Sequence, residues 1–360
     1  MRPLHLAAIL ATSAALAACG GGSSGNVPQF NSPPQFSSLV SFGDSLSDVG
    51  TYAVGTVKAL GGGKYTVNAS DAKIWIEHLA TRLNVSAPCA AQTGLEGDST
   101  LGFSVQVTNH ANCTAYAQGG ARVTNPVGPG NKALGGANTV LGQLTVPVAT
   151  QIQNHLTAKG GRFSGNEIVF VMAGGNDVFI QAATVSATVS AGGDQAVAAA
   201  AAVTAMATAG AELAGYVKNQ IVGKGARYVT VVNLPDISKT PAFASDTGSQ
   251  ALITNMVTTF NTQLQQGLTG AEVLLIDAYT VSRDQNANPS RYGLSNVTVP
   301  ACDLSLAKNP LASSLVCTRS NLIAGANDNF QYADGVHPTP YGYKLLADLV
   351  ATEMGKRGWL

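Results

Sequence analysis

Four stretches of the chain are short and almost wholly apolar: Leu39-Val40-Ser41-Phe42, Glu167–Met172, Ala226–Leu234 and Glu272–Asp277. Runs of this length, closed by glycine, proline or aspartate, predict strands buried on both faces. Between them the apolar positions recur at helical spacing. Ile74, Trp75, His78, Leu79 and Leu83 predict a helix over 72–83 capped by Asp71, and Val148–Leu156 predicts another. Leu252, Ile253, Met256, Phe260 and Leu264 fall on one face of a helix over 249–268. A closing helix is expected at about 341–356, with Thr339 as cap and Pro340 in its first turn. The alanine-rich stretch 182–215 lacks proline and should be largely helical. Its Thr, Ser, Gly, Gln and Asp, and its scarcity of Leu, Ile and Phe, argue against a membrane span. Buried strands alternating with helices predict an α/β domain with a parallel sheet covered on both faces. Two stretches, about 84–115 and 283–332, show no clear period and are read as loop insertions.

The N-terminus adds a destination. Arg2 precedes an apolar segment, Leu6 to Leu16, and Leu16-Ala17-Ala18-Cys19 matches a bacterial lipoprotein signal; a plain signal peptide is the nearest alternative. Residues 1–18 are then a signal peptide, Cys19 a lipidated mature N-terminus, 19–37 a flexible tether rich in Gly, Ser, Asn and Pro, and 38–360 the folded domain. Gly20 after the cysteine implies sorting to the outer membrane, with membrane attachment through the lipid on Cys19. The other four cysteines suit an oxidising compartment, and nearest-neighbour pairing among three connectivities gives Cys89 with Cys113 and Cys302 with Cys317. Their spacing does not fit a metal site, so no metal is expected. Lys+Arg and Asp+Glu are 20 each, and only 11% of residues are charged, so no basic stripe points to a nucleic-acid partner. The glycine-rich runs lack the phosphate-loop lysine and the dinucleotide spacing, and no cofactor is expected.

The candidate chemistry sits at strand ends. Ser45, in Gly43-Asp44-Ser45-Leu46, comes just after the first strand and opens a helix-compatible segment, where free N–H groups and partial positive charge favour an oxyanion. Gly119-Gly120 permits close backbone approach to a ligand. Gly174-Gly175-Asn176-Asp177 ends the second strand. Of five histidines, only His337 has an acidic residue placed to orient it, Asp334 three positions earlier; His78 and His155 read as structural. A nucleophile, a base and an orienting carboxylate are what acyl transfer needs.

In this order and spacing the four blocks resemble the GDSL family of esterases and lipases, also called SGNH hydrolases, over roughly residues 38–356. Phe42-Gly43-Asp44-Ser45-Leu46-Ser47-Asp48 and Asp334-Gly335-Val336-His337-Pro338-Thr339 carry the likeness most closely. Tyr228–Asp236 and Tyr292–Val297 are similar to the secreted bacterial lipase and phospholipase branch. The resemblance implies a flavodoxin-like three-layer αβα sandwich with about five parallel strands. It implies Ser45, His337 and Asp334 as catalytic triad, and an oxyanion hole of the Ser45 and Gly119 N–H groups and the Asn176 amide, with Gly120 as the alternative to Gly119. Asp44, Asp48 and Asp177 are assigned to loop and cap hydrogen bonds. The expected activity is hydrolysis of acyl esters or lipids by a monomer. A polysaccharide O-deacetylase and a non-catalytic binding lipoprotein are the alternatives. The two insertions are expected either to wall or cover the acyl pocket or simply to be stabilised long loops.

Overall fold

All four apolar runs lie side by side in a computed structural model of the protein, which describes residues 33–360. The signal segment, the lipidation site Cys19 and the tether up to residue 32 lie outside the described residues. Strands β1 (Leu39–Gly43), β4 (Ile168–Met172), β5 (Tyr228–Val232) and β6 (Leu274–Ile276) form one parallel sheet in the order β1-β4-β5-β6. Leu39 pairs with Ile168, Ile168 with Tyr228, and Thr230 with Leu274.

Side chains alternate across a strand, so each strand feeds two cores. On one face Val40, Phe42, Val169, Val171, Val229 and Val231 meet α2 (Val148–Ala158), α4 (Gln195–Tyr216) and α5 (Thr247–Gly267). On the other, Leu39, Ile168, Phe170 and Met172 meet α1 (Trp75–Arg82) and α7 (Pro340–Lys356). Helices α3 (Gly175–Ser190) and α6 (Ala278–Ala287) leave the C-terminal ends of β4 and β6. The result is the expected three-layer αβα arrangement.

Among the described residues the parallel sheet has four strands rather than about five. The segment 114–118 runs beside β1 in the fifth position, with the Ser41 N–H on Thr114 O, Tyr116 N–H on Ser41 O and Gln118 N–H on Gly43 O. Only Ala115 pairs with Ser41 as a bridge before the Gly119-Gly120 turn ends the alignment.

Other elements depart from the sequence pattern. Helix α1 starts at Trp75, with Glu77 accepting the Ile74 N–H at 2.8 Å, while Asp71 pairs with Arg319 on the surface instead of capping. The alanine-rich stretch breaks at Gly192-Gly193, and Asp194 caps α4 through the Val197 N–H. The helical run Gln195–Lys224 is the one among the described residues long and apolar enough to cross a membrane. Its Ala202, Met206, Ala209 and Leu213 are buried in the first core against α5. The first insertion holds an antiparallel ribbon, β2 (Gln92–Glu96) with β3 (Ser104–Asn109). Cys89 is bonded to Cys113 and Cys302 to Cys317.

Candidate active site

Strand β1 ends at Gly43, whose φ is +158° and where a Cβ would run into the Met172 carbonyl. The chain leaves the strand at Asp44, and Gln151 of α2 pins the strand end by accepting the Gly43 N–H (2.9 Å) and donating to its carbonyl (2.8 Å). The next residues, Ser45–Ser47, form a single 3₁₀ turn rather than a full helix. An extended macrodipole is absent here, so any anion at Ser45 is met by individual N–H groups.

Ser45 is 7% exposed, and its Oγ lies 2.8 Å from His337 Nε2. The other ring nitrogen, Nδ1, lies 2.9 and 2.8 Å from the two oxygens of Asp334. With the Nδ1–H donated to that carboxylate, Nε2 is left as acceptor for the Ser45 hydroxyl. Asp334 in turn accepts the N–H groups of Val336 (2.9 Å), His337 (2.8 Å) and Ser314 (3.0 Å). Burial alone would raise its carboxyl, but the neighbouring His337 and these hydrogen bonds outweigh that and hold it well below the usual carboxylate range. Sequence reasoning misses Gln151 and Ser314; both act across long loops and carry no local signal.

Asn176 stands at the start of α3, lines the same cavity as Ser45 and His337, and gives one amide N–H to Ala121 O at 2.8 Å. Its second amide hydrogen is uncommitted among the described residues. Gly119 is placed differently from the sequence expectation. Its N–H donates to Asp48 Oδ2 at 2.8 Å and its carbonyl accepts the Tyr52 hydroxyl at 2.7 Å. That amide is already taken by a buried carboxylate. The N–H groups of Ser45 and Gly120 have no acceptor among the described residues, and Gly120 precedes the Ala121 that Asn176 holds. Asp48 also accepts from Gly50 and Thr51, and Asp177 from Arg122 and Val123, so both organise loops.

The cavity at Ser45 is narrow, about 100 Å³, and largely apolar. Met172, Phe179, Leu234, Ile237, Val281 and Leu349 are among its walls. These come from the sheet end, α3, the β5 exit, α6 and α7. The 84–115 insertion contributes no lining residue, and 283–332 only Gln285, Gln331 and Tyr332. The second disulfide loop instead supports Asp334 from behind through Ser314. His155 is remote from this chemistry, stacked on Phe163 at 4.4 Å and pushed down to about 4 by burial. His78 is on α1, away from the cavity residues.

Asp44 also lines the cavity. One oxygen caps the 3₁₀ turn through the Leu46 N–H (3.0 Å), and burial raises its carboxyl to about 7. A raised folded-state value means the proton is held more tightly in the folded chain. The associated stability is full below about pH 4 and is lost as pH rises through about 7. Asp44→Asn keeps the cap oxygen and carries no such cost. Its melting temperature relative to wild type is therefore expected to climb between pH 4 and pH 8, by the equivalent of a few kcal/mol. A difference that stays constant across that range contradicts the assignment.

The sequence model of the GDSL-like Lipase/Acylhydrolase family matches residues 39–350. An Arabidopsis thaliana protein described as a GDSL esterase/lipase is 29% identical over 98 residues, 27% of this chain and 26% of its own length. An uncharacterized Pseudomonas putida protein is 28% identical over 347 residues, 89% of this chain and 48% of its own. The chain thus spans between a quarter and half the length of these curated relatives. An extracellular lipase from Streptomyces rimosus covers 88% of this chain and 99% of its own at 16% identity, with a TM-score of 0.42. A lipolytic G-D-S-L family protein from Veillonella parvula covers 88% and 96% at 14% identity, with a TM-score of 0.38.

Proposed function

The chain belongs to the GDSL-like lipase and acylhydrolase family, and on that premise we propose that it is a carboxylic ester hydrolase working through an acyl-enzyme on Ser45. The observation that carries the reading is the unbroken contact from Ser45 Oγ through His337 to Asp334 at the mouth of an apolar cavity. Ser45 Oγ attacks the ester carbonyl as its proton passes to His337 Nε2. Asp334 holds the tautomer and balances the imidazolium. The oxyanion is received by the Ser45 N–H, the free Asn176 amide hydrogen and the Gly120 N–H, the last in place of Gly119. The imidazolium then protonates the departing alcohol, and water repeats the sequence on the acyl-enzyme.

The cavity walls favour an acyl chain over a bare acetyl group. On p-nitrophenyl esters of two to sixteen acyl carbons, kcat/KM is expected to rise about fourfold per methylene until the cavity is filled, following ~0.8 kcal/mol per buried CH₂. Turnover confined to acetate would favour the polysaccharide deacetylase instead.

Two disulfides support export, and the Leu-Ala-Ala-Cys signal supports anchoring through lipid on Cys19. Mass spectrometry of the mature protein should find an acylated Cys19 as first residue; any other N-terminus refutes the anchor.

A further inference from the structure

Tyr65 is buried against the reacting groups and belongs to none of the sequence blocks that carry the candidate chemistry. Its ring centroid lies 4.7 Å from that of His337, with the planes inclined by 33°, and the residue is 4% exposed. Its hydroxyl has no hydrogen-bond partner among the described residues. A Cβ on Gly119 would overlap that hydroxyl and the ring edge, so glycine there is what lets the tyrosine in. The ring therefore fills the space between the base and the glycine loop.

The segment carrying Tyr65 is tied on several sides. Thr66 Oγ1 donates to Pro338 O at 3.0 Å, one residue beyond His337. Asn68 Nδ2 donates to the Ser314 and Cys317 carbonyls, both at 3.0 Å, which joins the segment to the turn whose Ser314 N–H holds Asp334. The Tyr343 hydroxyl donates to the Tyr65 carbonyl at 3.1 Å. One short loop, 64–68, thus touches the base, the loop of the base and the support of its carboxylate.

We infer that Tyr65 is a positioning residue for His337, fixing the tilt of the imidazole toward Ser45 and stabilising the imidazolium through its ring face. The inference rests on Ser45 and His337 being nucleophile and base. When the Ser45 proton moves to Nε2, the ring becomes a cation held by Asp334 on its edge and by an aromatic face beneath it. An aromatic face attracts such a cation, more strongly where water is excluded. No hydrogen bond among the described residues engages the hydroxyl, so the positioning role is assigned to the ring. A phenylalanine therefore does the same work.

The charged and titratable groups around the pair are few. His337 contacts Asp334 and Ser45, and Tyr65 contacts Tyr52 and Tyr343; the Asp44 carboxyl acts on His337, and Asp48 and Asp334 on Tyr65, through the electrostatic field. Asp44, raised by burial to about 7, titrates in the range ordinary for imidazoles, so its contribution must be separated.

The test compares wild type, Tyr65→Phe, Tyr65→Leu and Tyr65→Met on a p-nitrophenyl ester that wild type turns over, between pH 5 and 9, each also in an Asp44→Asn background. Rates are taken per Ser45 titrated with a fluorophosphonate, so unfolded protein is not counted. Phe is expected to stay within about twofold of wild type. Leu and Met should lower kcat about tenfold, leave KM within about twofold, and move the acid limb of kcat/KM down by about half a pH unit. A merely structural role would leave that limb in place. An unmoved acid limb in the Leu and Met variants overturns the inference, as does a Phe variant that loses as much as Leu. Wild-type protein that neither turns over the ester nor takes the fluorophosphonate overturns the hydrolase reading, and this inference with it.

Discussion

Ser45→Ala is expected to lower ester hydrolysis by about 10⁴-fold or more while leaving the fold intact. Among the described residues the Ser45 Oγ makes one hydrogen bond, to His337 Nε2, and its loss strands no buried protein polar atom there except a ring nitrogen that lines the cavity. A methyl group fits where the hydroxymethyl stood. Binding in the apolar cavity is untouched, so KM should change little and kcat should carry the loss. The remaining rate comes from the oxyanion donors and from substrate positioning. Steady-state kinetics with a matched melting curve check both halves. Retention of even a tenth of wild-type kcat would mean another group is the nucleophile.

The second large effect is expected from Asp334→Asn, again a loss of about 10⁴-fold in kcat. The asparagine oxygen can still accept the Val336 and His337 N–H groups that Asp334 Oδ1 accepts. Its amide nitrogen, however, meets the Ser314 N–H donor-to-donor and can only donate to His337 Nδ1. That turns the imidazole to the tautomer with a hydrogen on Nε2, which cannot take the Ser45 proton. Because His337 and the surrounding hydrogen bonds hold the native carboxyl well below its usual range, Asp334 is ionised throughout the working range. The loss should therefore persist from about pH 5 to about pH 8, and stability should also fall by about 1–3 kcal/mol for the unmatched buried donor. Paired kinetics and calorimetry test this; a variant within tenfold of wild type would remove Asp334 from the mechanism.

Much of the fold and of the site is legible in the sequence because the relevant signals are local. Apolar runs of about five residues closed by Gly43 or by Ala173-Gly174 mark strand ends. Thr339-Pro340 marks the start of α7, and Asp334 and His337 are close enough in sequence to meet across one tight turn. The cysteine pairs are near neighbours, so the simplest pairing is also the observed one.

The rest depends on contacts between distant segments. That the Gly119 amide is claimed by Asp48 is a matter of packing across 71 positions. Ser314 and Tyr65 reach the site from loops with no periodicity, and Asn68 ties those two loops together. The β2–β3 ribbon gives no strand pattern because most of β3 is exposed, so its two faces show no contrast. The fifth strand position is equally silent, because 114–118 accompanies β1 with a single bridge. The helix break at Gly192-Gly193 lies within a run whose alanines favour helix so strongly that two glycines barely register in its summed propensity.

The central claim is that Ser45 is the residue acylated during turnover. Incubation of the purified protein with a fluorophosphonate, then intact-mass and peptide mass spectrometry, tests it most directly. The expected result is one adduct per chain, on the peptide containing Ser45, formed in step with loss of esterase activity and absent from Ser45→Ala. Complete loss of activity with the adduct on any other residue, or with Ser45 unmodified, would contradict it.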